Sequence, residues 1–152
     1  MWRLATTSDD ESIVSMCMAL NAEDPGPAPV PPCQVRRTLA KLREEPYRGC
    51  ALMCEVNGHP AGYALLISFW SNELGGEVCN IDELFVAPAY RGRGLAADLF
   101  AVLIVSEQSL WPGRPAALAL EVSPANERAR ALYARLGFHG NNLSMQLPLP
   151  NK

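Results

Sequence analysis

The sequence predicts an α/β protein: a single domain over residues 1–152 with a central sheet of mixed direction flanked by helices. Three observations predict it. Asn57-Gly58-His59-Pro60 joins two apolar runs as a hairpin turn, which sets antiparallel pairing there. The apolar run Val78–Val86 feeds a glycine turn and then a long apolar stretch from Leu95, a strand–turn–helix unit. The second half then reads strand, helix, strand, helix, strand, an order that belongs to layered α/β folds.

The elements follow in order. Trp2–Thr6 reads as a short strand. Ser8-Asp9-Asp10-Glu11 reads as a helix start, with Ser8 as N-cap and Glu11 closing a capping box. Ile13, Met16, Cys17 and Leu20 then fall on one helical face. Asp24–Pro32 holds five prolines in nine residues and reads as a stiff, exposed loop. Val35, Leu39 and Leu42 mark a second helix, ended by Pro46. Strands follow at Cys50–Val56, Ala61–Phe69 and Val78–Val86. The second is apolar throughout and is expected to be buried on both faces. A helix is expected over Gly94–Gln108, broken by Trp111-Pro112-Gly113, then a strand at Ala117–Val122. Asn126–Leu136 carries Ala129, Leu132, Tyr133 and Leu136 at i, i+3, i+4, i+7, with Gly137 at C′ and Phe138 as its apolar partner. A last strand is expected at about Leu143–Leu149.

Composition bounds the function. Of 152 residues, 49% are apolar and 19% charged, which suits a compact domain. The net charge of −3 and the lack of a basic run argue against nucleic acid as a partner. The five cysteines, Cys17, Cys33, Cys50, Cys54 and Cys79, include no CxxC pair and read as reduced thiols of a cytoplasmic protein. Cys50 and Cys54 share a strand face but stand too far apart along it to bridge. No metal site is expected, since His59 and His139 sit in turns away from any cysteine pair. The N-terminus lacks a secretory apolar region, no run reaches membrane-spanning length, and no membrane partner is expected.

The richest stretch is Val86-Ala87-Pro88-Ala89-Tyr90-Arg91-Gly92-Arg93-Gly94-Leu95-Ala96. Turn amides and the positive end of a helix dipole converge there on one spot, which suits an anion. Gly92 and Gly94 can take φ > 0 and let a phosphate approach the main chain. Arg91 and Arg93 add fixed positive charge. Leu95-Ala96 follows Gly94 where a nucleotide-hydrolysing loop needs Lys-Ser/Thr, and Ala97 stands where a dinucleotide loop needs its third glycine. A phosphorylated ligand is expected there, of neither of those classes.

Two motifs in order give a resemblance that covers essentially the whole chain. Arg91-Gly92-Arg93-Gly94-Leu95-Ala96 fits the Arg/Gln-x-x-Gly-x-Gly/Ala loop of the GNAT family of acetyl-CoA-dependent N-acetyltransferases, and Ile81–Pro88 fits the strand before it. Asn126–Phe138 resembles that family's Asn-x-x-Ala-x-x-Leu-Tyr-x-x-x-Gly-Phe helix. The resemblance implies a mostly antiparallel sheet and acetyl-CoA as co-substrate. It implies that main-chain groups at Phe85 and Val86 pair with the pantetheine arm. The amides from Gly92 through Arg93, Gly94, Leu95 and Ala96 to Ala97, next to Arg91, would hold the pyrophosphate. Asn126 would bond the pantetheine and Tyr133 would protonate the departing thiolate. Without the motif, Tyr133 reads as a core residue of its apolar stripe and Asn126 as a helix-start residue.

Asp82 and Glu83 are the candidates for the base, with Glu73 and Glu121 weaker. Strict alternation sets Asp82 with Leu84 and Val86, and Glu83 with Ile81 and Phe85. The resemblance favours Asp82. The acceptor, an amine of a small molecule or of a peptide or protein, would meet the Asp24–Pro32 loop, Tyr47 and Phe69-Trp70-Ser71-Asn72. The acidic residues would suit a cationic amine. A homodimer is left open as the assembly. The competing reading is a non-catalytic acyl-CoA-binding or sensor domain on the same fold, which needs the loop but neither acid nor base.

Overall fold

In the computed structural model, residues 1–105, 110–140 and 145–149 are described. The chain divides into two compact units, Met1–Leu120 and Glu121–Lys152. The first unit holds a five-stranded sheet in chain order: β1 (Trp2–Leu4), β2 (Gly49–Val56), β3 (His59–Ser71), β4 (Gly76–Val86) and β5 (Ala117–Leu120). The first three pairings are antiparallel and the β4–β5 pairing is parallel. Three helices belong to this unit: α1 (Asp10–Glu23), α2 (Pro32–Glu44) and α3 (Leu95–Val105).

The β2–β3 hairpin forms with a shorter turn than expected, because β3 already begins at His59 and both His59 and Pro60 pair with β2. Val56 pairs with His59, and Asn57 and Gly58 both take positive φ, 52° and 75°, in the two-residue turn. That backbone matches the twist of the strands it joins. Ala61–Leu66 of β3 is buried throughout. Side chains of α1 and α2, among them Ile13, Cys17, Leu39 and Leu42, pack on Met53, Tyr63, Leu65 and Phe85 of the sheet. On α3, Leu99, Phe100 and Leu103 are buried, and the helix packs on β4.

Four further expectations change. The first helix starts at Asp10, and the cap lies earlier: the Asp9 carboxylate accepts the Thr6 N–H at 2.7 Å and the Thr6 hydroxyl at 3.0 Å. The Thr6–Asp9 spacing offers the same reciprocal bonds as Ser8–Glu11, and Arg3, reaching Asp9 at 2.8 Å, decides between them. The Asp24–Pro32 loop is exposed as expected, except that Pro32 opens α2, where a missing N–H costs nothing. The fifth strand ends at Leu120 rather than Val122. Of the expected last strand, residues 143–144 lie outside the described residues and 145–149 form no regular structure. Positions 106–108 of the expected third helix also lie outside the described residues.

The second unit contains α4 (Glu127–Arg135). Its end is a Schellman motif: the Phe138 N–H bonds the Tyr133 carbonyl at 2.9 Å and the Gly137 N–H bonds that of Ala134 at 3.1 Å. Gly137 has φ 91°, the left-handed conformation this motif needs. The Tyr133 and Phe138 rings meet edge-on with centroids 5.8 Å apart, the apolar contact that accompanies it.

Candidate active site

The sequence of β4 creates two features at once: an irregular strand and a free edge. Leu65 pairs with Glu83, but the next residue, Leu66, pairs with Ile81. Asp82 is therefore the extra residue of a β-bulge. The bulge breaks strict alternation, so Ile81 shares its face with Leu84 instead of with Glu83 and Phe85. Asp82 itself is exposed. Among the described residues, β4 pairs on its other side with β5 only from Val78 to Ile81. The main chain from Asp82 to Val86 runs on past the end of that ladder, and such an edge can accept an extended ligand as if it were a strand.

That free stretch leads directly into the glycine turn. A 3₁₀ turn, Pro88–Tyr90, is followed by Gly92 at φ 78° and Gly94 at φ 81°. A Cβ at either glycine would meet no atom within 4 Å, so the main chain of the turn is open to an approaching group. The first i→i−4 bond of α3 runs from the Asp98 N–H to the Gly94 carbonyl at 2.9 Å. The amides of Leu95, Ala96 and Ala97 therefore precede the helical ladder, at the positive end of the dipole. The Trp2 indole donates to the Leu95 carbonyl at 2.7 Å and fixes this helix start to the sheet. Open main chain, positive φ and free amides fit a pyrophosphate.

The arginines are placed differently from one another. Arg91 turns back into the fold: its Nε donates to the Val86 carbonyl at 2.7 Å, and one terminal nitrogen reaches both Glu23 oxygens at 2.9 and 2.7 Å. Its guanidinium lies 5.4 Å from the centroid of the Phe85 ring. Arg91 thus secures the turn to β4 and to the end of α1. Arg93 is exposed, donates to the Ala89 carbonyl at 3.2 Å and lies over the Tyr90 ring.

Glu83 sits on the α1 side of β4. Its Oε2 accepts the Tyr63 hydroxyl at 2.7 Å, and its Oε1 lies 4.0 Å from the Cys17 sulfur. Asn21, one turn along α1, donates to the Cys17 carbonyl at 2.8 Å and to its sulfur at 3.4 Å. Burial pushes the Glu83 carboxyl above the usual range, and the Asp82 charge adds to this, while the Tyr63 and Cys17 bonds pull it back. Burial and the Glu83 charge push the Tyr63 phenol up, so it stays a donor. Sequence reading missed Tyr63, Cys17, Asn21 and Glu23. The available signal was Tyr63 itself: a lone hydroxyl in the buried stretch Ala61–Leu66 requires a partner.

In the second unit the Asn126 Oδ1 caps α4 by accepting the Ala129 N–H at 3.1 Å. That matches its helix-start reading. Tyr133 is half-buried, and burial pushes its phenol up. Arg128, Arg130 and Arg135 are exposed. Among the described residues, no cluster of three or more His, Cys, Asp or Glu could hold a metal ion, and no helix is long and apolar enough to cross a membrane.

A strand edge running into an open glycine turn suits an extended, phosphorylated ligand. The profile of the acetyltransferase (GNAT) family matches residues 14–138, and the chain belongs to that family. An uncharacterized N-acetyltransferase of Methanocaldococcus jannaschii is 40% identical over 87 residues, covering 57% of this chain and 37% of that protein. The chain thus spans well under half the length of that relative. A possible acetyltransferase from Clostridium difficile 630 superposes with a TM-score of 0.78 at 18% identity, covering 100% of this chain and 98% of that one. An integron cassette protein from the Cole Harbour salt marsh metagenome gives 0.75 at 27% identity, covering 99% and 91%. A ribosomal-protein-alanine N-acetyltransferase from Brucella melitensis biovar Abortus 2308 gives 0.71 at 21%, covering 98% and 99%. These likenesses show a mixed α/β acetyltransferase fold with a mostly antiparallel sheet.

Proposed function

We propose that this domain, residues 1–152, transfers the acetyl group of acetyl-CoA to a primary amine by direct attack. The observation that carries the reading is the continuity of the free β4 edge with the open Gly92–Gly94 turn. Acetyl-CoA supplies an acyl group activated as a thioester. The main chain at Phe85 and Val86 would hold its extended arm. The amides from Gly92 to Ala97 would hold its pyrophosphate, and the NH₂ of Asn126 would donate to the pantetheine arm. Glu83 is the better suited of the two carboxylates to take a proton from the incoming ammonium, because burial keeps its carboxyl above the usual range. Asp82, exposed on the bulge, would add negative charge beside it. Tyr133, its phenol kept protonated by burial, would donate to the sulfur as it leaves.

The acceptor is a primary amine of a small molecule or of a peptide or protein. The Brucella protein named above makes an alanine α-amine one natural arm of any acceptor panel. Five free cysteines suit a reducing, cytoplasmic setting. The test is a thermal melt with CoA. A ligand that binds only the folded turn stabilises by about 2.7 kcal/mol at ~100 times its Kd. A melt unchanged by saturating CoA removes the reading.

A further inference from the structure

We propose that Tyr63 is a positioning residue for the transfer reaction: its hydroxyl holds one oxygen of Glu83 so that the other faces the incoming amine. The inference rests on the reading of Glu83 as the base. Tyr63 is fully buried on β3, and its ring lies 6.3 Å from that of Phe85, so the ring cannot swing away. Its hydroxyl reaches Glu83 Oε2 at 2.7 Å. A carboxylate fixed through one oxygen presents the other in a single direction. Here that is Oε1, which accepts one long, weak hydrogen bond, from the Cys17 thiol at 4.0 Å.

The groups around Glu83 are few. Cys17 and Asn21 approach from α1, Tyr63 from β3, and Asp82 from its own strand. Arg91, the cation that lies over the Phe85 ring, is engaged by Glu23 and the Val86 carbonyl. Tyr63 is therefore the only uncharged strong donor on the carboxylate among the described residues. In the step itself, an N–H proton of the ammonium passes to Oε1, and the bonding pair stays on nitrogen as the lone pair that attacks. Tyr63 keeps its own proton throughout. The bond to Tyr63 favours the ionised carboxylate, which opposes the effect of burial.

The test is the pH profile of kcat/KM for Tyr63→Phe, read beside that of Glu83→Gln. Tyr63→Phe should move the acid limb to higher pH and lower kcat on the order of tenfold, as expected for a misaimed base. Its CoA-induced melting shift should match that of the parent. A purely structural tyrosine would lower the melting temperature and leave the limb in place, which overturns the proposal. Site-specific 3-fluorotyrosine at position 63 keeps the shape and makes a stronger donor, so the limb should move to lower pH. That variant decides the matter if Tyr63→Phe does not fold, and an unmoved limb in it also overturns the proposal. Glu83→Gln separates the two readings. If it keeps both activity and acid limb, the assignment of the base fails. If it is inactive while the limb of the Tyr63 variants stays fixed, only the role of Tyr63 fails.

Discussion

Alanine at position 94 tests the glycine turn quantitatively. Gly94 has φ +81°, and a Cβ there would meet nothing within 4 Å. Gly94→Ala therefore introduces no clash, only the torsional cost of a left-handed alanine, about 1–2 kcal/mol. In the free protein the turn can relax and avoid part of that cost. Binding CoA would force the original conformation back, so the part that was avoided reappears as lost affinity, up to roughly 5- to 30-fold if the free turn relaxes fully. The matched control is Gly75→Ala. Gly75 has φ +61° and is equally open, but it lies in the β3–β4 turn at the far end of β4 from Val86. At ~3.4 Å per residue the strand between them spans about 34 Å. Titration calorimetry with CoA on the parent and both variants gives the answer. Weakened binding in Gly94→Ala alone supports the turn as the phosphate site. Equal affinity in all three proteins, or equal loss in both variants, refutes the reasoning.

Three further outcomes follow from particular contacts. Tyr133→Phe keeps the edge-on contact with Phe138 and should bind CoA as the parent does, while kcat falls by about 10²–10⁴; parent activity returns Tyr133 to a core role. Asp9→Asn should destabilise the fold by roughly 1–2 kcal/mol at neutral pH. Arg3 holds the Asp9 carboxyl down from 3.8 to about 2, and the part-exposed Arg3 and Glu55 side chains reduce what that shift is worth. Because the folded value lies below the unfolded one, this stability is present above pH 3.8 and is lost as pH falls towards about 2; an acid melt of the variant should lack that phase. Alkylation followed by mass spectrometry should find five free thiols, with exposed Cys33 reacting first. Cys50 and Cys79, pushed up by burial to about 11 and about 12, should react last.

What sequence made legible was what is local. Asn57-Gly58 specifies its turn through φ > 0 at both residues, and Gly137-Phe138 specifies its helix end in the same way. The glycine turn was readable because Gly92 and Gly94 are needed for their backbone, whatever surrounds them. What stayed hidden depends on contacts between segments distant in sequence. The bulge at Asp82 carries no glycine or proline to announce it, since it is set by the register against Leu65 and Leu66. Strict alternation therefore gave Glu83 the wrong neighbour in Ile81. The Tyr63–Glu83 bond joins residues 20 apart and needs the register of β3 against β4, while the Cys17–Glu83 contact joins residues 66 apart and exists only once α1 lies on the sheet. Arg91 reads as an anion ligand from the motif, yet Glu23, 68 residues away, draws its guanidinium back into the fold. The capping box lies at Thr6 and Asp9, around a 3₁₀ turn that precedes α1, and Asp9 rather than Ser8 is the N-cap of the helix, its carboxylate held by Arg3 as well as by the turn.

Release of free CoA thiol from acetyl-CoA across a panel of amines, with the acetylated product weighed by mass spectrometry, tests the central claim most directly. The panel should include polyamines, aminoglycosides, amino acids and a peptide with an N-terminal alanine. An enzyme releases thiol only when a suitable amine is present, one thiol for each acetyl amide formed. Glu83→Gln and Tyr133→Phe should lose that release while still binding CoA. Tight CoA binding with no amine-dependent release across the panel would contradict the account and leave an acyl-CoA-binding domain on the same fold.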